Sequence, residues 1–140
     1  MYDSVQERGR EYGLSYRFDL AQVVDSRPAH RLRRYAEDHG AEQVVLRRLF
    51  ESYFAEGANI ADVHVLRRIA AEGGLDPDDA ERALTDARID RAVEGDLELA
   101  ARLGITGVPH FIVGGRYSLS GAQPVEVFRH ALEAVSSRSR

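Results

Sequence analysis

The stretch Gly104-Ile105-Thr106-Gly107-Val108-Pro109-His110-Phe111-Ile112-Val113-Gly114-Gly115-Arg116-Tyr117-Ser118-Leu119-Ser120-Gly121-Ala122-Gln123-Pro124 decides how the rest of the chain is read. Phe111-Ile112-Val113 is a short apolar run, Gly114-Gly115 suits a two-residue hairpin turn, and Arg116-Tyr117-Ser118-Leu119 alternates as a return strand. Gly121-Ala122-Gln123 reads as a loop and Pro124 suits a first helical turn. Val127, Phe128, Ala131, Leu132 and Val135 then fall on one side of a last helix. Because Phe111-Ile112-Val113 is apolar on both faces, it is expected to be a central, buried strand. A two-stranded hairpin cannot stand alone, yet the chain offers almost no other strand to flank it.

Three of the four prolines, Pro28, Pro77 and Pro124, stand where a helix is expected to start. Pro109 instead precedes the strand. Taken locally it fits either an ordinary trans proline at a strand start or a cis bond after Val108. The cis form occurs at only about 5–6% of X–Pro bonds, so local sequence by itself favours trans.

Upstream, helical signals fill the first hundred residues. A first short helix is expected from Asp3 to Gly13, followed by an alternating extended piece, Leu14 to Phe18. Ser26 and Pro28 open a second helix that ends near Gly40. The clearest helix spans Ala41 to Glu56, with Val45, Leu46, Leu49, Phe50, Tyr53 and Phe54 on one face. Another begins near Asp62, buries Val65, Leu66, Ile69 and Ala70, and stops at Gly73-Gly74. Asp76 caps the next, with Pro77 in its first turn and Asp78 and Asp79 at the positive end of its dipole. A further helix carries Ile89, Val93, Leu97 and Ala100 to Gly104. Short polar breaks suit an antiparallel helical cluster. The expected organisation is a helical region over 1–103, a strand-turn-strand-helix unit over 104–135 and a disordered tail over 136–140.

Composition narrows the function classes. The chain has 140 residues, of which 44% are hydrophobic and 30% charged, enough for a packed core. Its formal charge of −4 argues against a nucleic-acid backbone as partner. All 19 basic residues are arginines, which reads as codon bias of a GC-rich genome. The doublets Arg33-Arg34, Arg47-Arg48 and Arg67-Arg68 alternate with acids, as solvated helix faces do. No segment approaches the roughly 20 apolar residues of a membrane span, and with no export signal visible a cytoplasmic location is expected. The absence of cysteine rules out disulfides, thiolate metal sites and a cysteine nucleophile within these residues. The five histidines, His30, His39, His64, His110 and His130, lack ligand spacing, so no metal site and no cofactor is expected. Asp76, Asp78 and Asp79 read as capping rather than a calcium loop.

Gly107-Val108-Pro109 before the strand and Gly121-Ala122-Gln123 after the hairpin, at this spacing, closely resemble the end of DsbA-family oxidoreductases. They look most like the cytoplasmic branch often labelled FrnE-type. Gly13-Leu14 to Phe18-Asp19, Ala29-His30-Arg31-Leu32 and Leu49-Phe50 to Tyr53-Phe54 are similar to that branch's helical insertion. The resemblance thus spans nearly the whole chain. It implies a fold that is mostly α with a small β-hairpin: a DsbA-like helical insertion plus the C-terminal half of a thioredoxin fold, a truncated α/β arrangement. It also implies a cis bond at Pro109 and a substrate-binding loop of Gly107, Val108, Pro109 and His110, in which the Val108 backbone pairs with an extended thiol or disulfide substrate. His110 reads either as a residue near the redox centre or as a half-exposed strand residue.

Family chemistry is thiol–disulfide exchange by a Cys-X-X-Cys pair at a helix N-terminus. In the family layout that pair precedes Met1, so no catalytic residue is expected here and the isolated chain is expected to be redox-inactive. Kappa-class glutathione transferases and hydroxychromene-carboxylate isomerases, related proteins with a serine in place of the first cysteine, fit the Gly-Ala-Gln ending less well. A different class of reading is a non-catalytic helical module that binds or dimerises through uncovered apolar faces. Unpaired strand edges point in either case to a homo-oligomer or domain-swapped dimer.

Overall fold

Apolar spacing sets which face each core helix buries, and side-chain caps mark the starts of two of them. The computed structural model describes residues 2–137. In chain order it holds α1 (Tyr2–Glu11), α2 (Arg27–Asp38), α3 (Glu42–Phe54), α4 (Val63–Glu72), α5 (Pro77–Ala83), α6 (Ala87–Arg102), β1 (His110–Val113), β2 (Tyr117–Ser120) and α7 (Val125–Ser136). The fold is therefore mostly helical with one small antiparallel hairpin, as the sequence predicts. Asp62 caps α4 by accepting from the His64 N–H at 2.7 Å. Asp76 caps α5 by accepting from the Asp78 and Asp79 N–H groups, each at 2.9 Å, and those bonds hold its carboxyl below the usual range. Before α2 the capping differs from expectation: the Ser26 side chain makes no cap bond, and Asp25 accepts from the Arg27 N–H at 2.9 Å instead.

Two compact units lie on either side of Gly95–Asp96, a division that falls within α6. In the first unit α2, α3, α4 and α5 pack around Leu32, Ala36, Val45, Leu66, Ile69 and Ala70, none more than 1% exposed. Full burial of one such leucine or isoleucine stabilises the fold by about 1.5–3 kcal/mol. Ser52 shares this core, completely buried, and among the described residues its Oγ has no hydrogen-bond partner.

The single apolar face expected on α3 is two rows. Val45, Leu49 and Ser52 are buried, whereas Phe50 is 55% exposed. Leu46, Phe50 and Phe54 follow one another at four-residue steps, a row rotated from the one that meets α2 and α4. Leu14 to Phe18 pairs with no strand among the described residues. Tyr16 and Phe18 stack on each other at 5.2 Å and both present edges to Phe54, at 5.8 and 6.1 Å. The Arg17 N–H ties this segment to the Phe54 carbonyl at 2.7 Å.

The arginine doublets are ion-paired, partly within a helix, as Arg34 to Glu37 and Arg47 to Glu51, and partly between elements. Arg48 reaches Glu72 at 2.6 Å, Glu51 at 2.7 Å and Glu56 at 3.2 Å, and Arg67 reaches Asp78 at 2.6 Å and also Glu81. Arg27 and Arg31 both bond to Asp90, at 3.0 and 2.6 Å, joining α2 to the start of α6. Among the described residues no helix is long and apolar enough to cross a membrane.

The second unit contains β1, β2 and α7. β1 and β2 pair antiparallel with Phe111 opposite Leu119 and Val113 opposite Tyr117. The return strand begins at Tyr117, not Arg116, because the Arg116 N–H closes the turn onto the Val113 carbonyl at 3.2 Å. Two apolar expectations fail here. Phe111 and Ile112 are exposed rather than buried, and so is Leu132 on α7. Ile112 lies on the hairpin face that does not meet α7, and among the described residues no third strand stands beside Phe111. Leu97 on α6 is likewise exposed, while Ile89 and Val93 on the same helix are buried. Of the tail 136–140, Ser136 closes α7 and Ser137 follows it as the capping residue, while residues 138–140 lie outside the described residues.

Two substitutions in the first core should behave oppositely in urea denaturation. Leu32→Ala is expected to lower the unfolding free energy by about 2–5 kcal/mol. Ser52→Ala should leave it unchanged or raise it, because it removes a buried hydroxyl that has no partner.

Candidate functional site

The loop from Gly104 to Gln123 is built by the hairpin and closed by one hydrogen bond. The Val108–Pro109 peptide bond is cis. The Pro109 carbonyl accepts from the Gly121 N–H at 2.8 Å, one step beyond the His110–Ser120 pair that ends the ladder. Gly121 adopts φ +79°, a left-handed conformation that favours glycine. Its own carbonyl accepts from the Gln123 N–H at 3.0 Å, and the Gln123 side-chain Nε2 donates to the Ser120 carbonyl at 2.7 Å. The Gly-Val-Pro and Gly-Ala-Gln segments, which flank the hairpin, are thus one hydrogen-bonded corner.

At the other end of the hairpin, Gly114 has φ +60° and lies so close to Val135 that a Cβ there would stand 2.6 Å from its Cγ2. A glycine is required by conformation and by space alike. Phe111 meets Phe128 of α7 edge-on at 4.9 Å. Together these contacts seat the face carrying Phe111 and Val113 against α7, which leaves His110, Ile112, Ser118 and Ser120 on the opposite face by strand alternation.

That second face carries a polar pair. His110 Nε2 and Ser118 Oγ are 2.7 Å apart, a diagonal contact across the two strands. His110 is half-buried at the first position of β1. Val108, by contrast, is 91% exposed, and among the described residues neither its N–H nor its carbonyl has a hydrogen-bond partner. Gly107 lies next to it with open space where a Cβ would stand. Gly107, Val108, Pro109 and His110 therefore lie along one exposed edge that leads into β1. The sequence singled out these four, but not Ser118 or Gly121 as their supports. The signal for Ser118 was its place on the same face as His110 in an antiparallel register.

The remaining histidines stand apart from this loop in sequence and do not gather into a site. His39 packs on Tyr35 at 4.2 Å, and its Nδ1 is 2.8 Å from the Tyr35 carbonyl. Among the described residues no three histidine, aspartate or glutamate side chains cluster as a metal would need.

The closing hydrogen bond should be sensitive to backbone conformation. Gly121→Ala is expected to destabilise the hairpin by about 1–2 kcal/mol through the left-handed backbone it must keep. Gly107→Ala, in open space, should change little. Hydrogen exchange at the Phe111 and Leu119 amides measures both.

The model of the DSBA-like thioredoxin domain family matches residues 1–133 of this chain. Among curated proteins, the uncharacterized protein YwbO of Bacillus subtilis is 30% identical over 99 residues, covering 70% of this chain and 49% of that protein. A crystal structure of a probable DsbA oxidoreductase, SCO1869 from Streptomyces coelicolor, superposes with a TM-score of 0.88 at 32% identity, over 96% of this chain and 58% of that one. A structure from Nitrosomonas europaea superposes at 0.77 with 18% identity, over 93% of this chain and 69% of that one, and speaks for the fold alone. The chain spans about half the length of the curated relative it matches. With the Gly-Val-Pro corner, the hairpin and the helical unit all in place, the chain belongs to the DSBA-like thioredoxin domain family.

Proposed function

We propose that these residues form the substrate-docking part of a DsbA-like thiol–disulfide oxidoreductase, with the reacting thiols carried by a polypeptide segment outside the 140 residues. The observation that carries this reading is the unpartnered, exposed backbone of Val108 beside Pro109. An extended substrate can add to it as a strand adds to a sheet edge, with backbone hydrogen bonds supplying affinity independently of sequence. Gly107 leaves room for the approaching chain, and the Gly121 bond to Pro109 holds the edge in place.

In the exchange itself, a thiolate attacks one sulfur of the substrate disulfide, a new S–S bond forms as the old one breaks, and the released thiolate takes up a proton. A second thiol then resolves the mixed disulfide, so the substrate is reduced and the thiol pair oxidised. None of these sulfurs belongs to the present residues, which contain no cysteine. Their part is to align the substrate. The reading puts the protein in the cytoplasm, following the FrnE-type branch that the Gly-Val-Pro and Gly-Ala-Gln pair resembles. It also gives the chain, taken alone, a tendency to self-associate through the free hairpin edge, where Phe111 and Ile112 are exposed.

Three measurements test this. In an insulin-reduction assay the chain alone should give no turnover above buffer. Titration with an extended, disulfide-bearing peptide should shift the amide resonances of Gly107, Val108 and His110; no change there would sink the docking role. Light scattering after size exclusion should find dimers or larger species, and a clean monomer would refute the association.

A further inference from the structure

The exposed edge at Val108 continues past Pro109. The Gly121 N–H donates to the Pro109 carbonyl at 2.8 Å, which makes these two a hydrogen-bonded pair of the antiparallel ladder. His110 and Ser120, one step on, are then a pair of the other kind, and the His110 N–H and carbonyl turn to the free side of β1. Pro109 has no N–H to offer and is turned inward, so it leaves that side intact. A chain that pairs with Val108 can therefore pair again at His110.

The His110 side chain is placed to read such a chain. Its Nε2 lies 2.7 Å from Ser118 Oγ. A hydroxyl accepts from a protonated Nε2 and donates to an unprotonated one, so the contact serves both charge states of the ring. Among the described residues Nδ1 has no partner, and no carboxylate is paired with the ring. The elements packed against β1 are β2 and α7. In β2 the one titratable side chain is Tyr117, which stands opposite Val113 on the other face of the hairpin. α7 brings Glu126, Arg129, His130 and Glu133, and it packs against the face of Phe111 and Val113. Arg116 lies in the turn at the far end of β1. His110 is thus a half-buried imidazole on the open face, with one nitrogen fixed by Ser118 and the other unclaimed.

We propose that His110 determines specificity, selecting extended substrates that place a carboxylate side chain at the position paired with it. This rests on the docking role of the Val108 edge and adds to it which substrates that edge prefers. Side chains directly opposite one another on paired strands have Cβ atoms about 4.5–5.5 Å apart, within reach of an ion pair between imidazolium and glutamate. An imidazole takes up its proton between about pH 8 and pH 5, where a glutamate carboxyl is already ionised. The preference is therefore strongest on the acid side of neutrality and fades as pH rises.

The test compares extended, disulfide-bearing peptides that carry one glutamate, moved along the peptide, with the same peptides carrying glutamine. Binding to the 140-residue chain is read from the Gly107 and Val108 amide resonances at about pH 5.5 and about pH 8. At one position the glutamate peptide should bind about two- to fivefold more tightly than its glutamine partner at the lower pH, and equally at the higher. His110→Gln should bind the two members of that pair alike at both pH values. Equal affinities at every position, a preference that does not change with pH, or one that persists in His110→Gln overturns the proposal. The pH comparison uses the unaltered chain and so does not depend on the variant's folding. If no peptide shifts the Val108 resonance, the docking role itself fails and the selection with it. If both members of every pair shift it with equal affinity, docking stands and only the selection by His110 is refuted.

Discussion

Burial of the inner row of α3 is the constraint on which the first unit depends. Val45 and Leu49 fill the space beside Leu32, Leu66 and Ile69, where α2, α4 and α5 converge. A helix that commits this row to a core cannot also bury the row that begins at Leu46. The outward row, the aromatic contacts of Phe54 with Tyr16 and Phe18, and two grooves beside Phe50 all follow from that one rotation. Arg48 of the same helix gathers Glu51, Glu56 and Glu72 and so ties α3 to α4 and to the turn after α3. Such half-exposed pairs each add little stability, and their effect is to orient the helices rather than to hold the core.

In the second unit a single backbone hydrogen bond does the comparable ordering. Gly121 to Pro109 joins the start of β1 to the end of β2, and the edge formed by Gly107 and Val108 is left without internal partners. A closed corner next to an open edge suits recognition of extended chains, because the host backbone is fixed before the guest arrives. Belonging to the DSBA-like thioredoxin domain family gives this arrangement its context. Thiol–disulfide exchange needs thiols, and these 140 residues contain none.

Much of this was legible residue by residue. Asp62 and Asp76 announced helix starts because their side chains satisfy N–H groups that have no partner within the helix. The hairpin was legible from its glycines, since consecutive left-handed residues leave few alternatives. What could not be read was which apolar residues stay covered. Phe50, Ile112 and Leu132 carry the same hydrophobic signature as Leu49, Val113 and Ala131, and periodicity records only that a face is apolar, not that something lies against it. The Ser26 side chain makes no cap bond for a separate reason: Pro28 at the second helical position has no N–H to donate, and Asp25 accepts from the Arg27 N–H instead.

The sequence by itself determined the helix and strand order, the Gly-Val-Pro and Gly-Ala-Gln signature and the lack of any thiol, since each depends on local backbone preference or on residue identity. Only the tertiary structure decided that these two motifs meet through Gly121 and Pro109, that His110 pairs with Ser118, and that α3 buries one apolar row while leaving Phe50 of the other exposed. Those are matters of register and helix rotation, set by the simultaneous packing of distant segments, which no local pattern encodes.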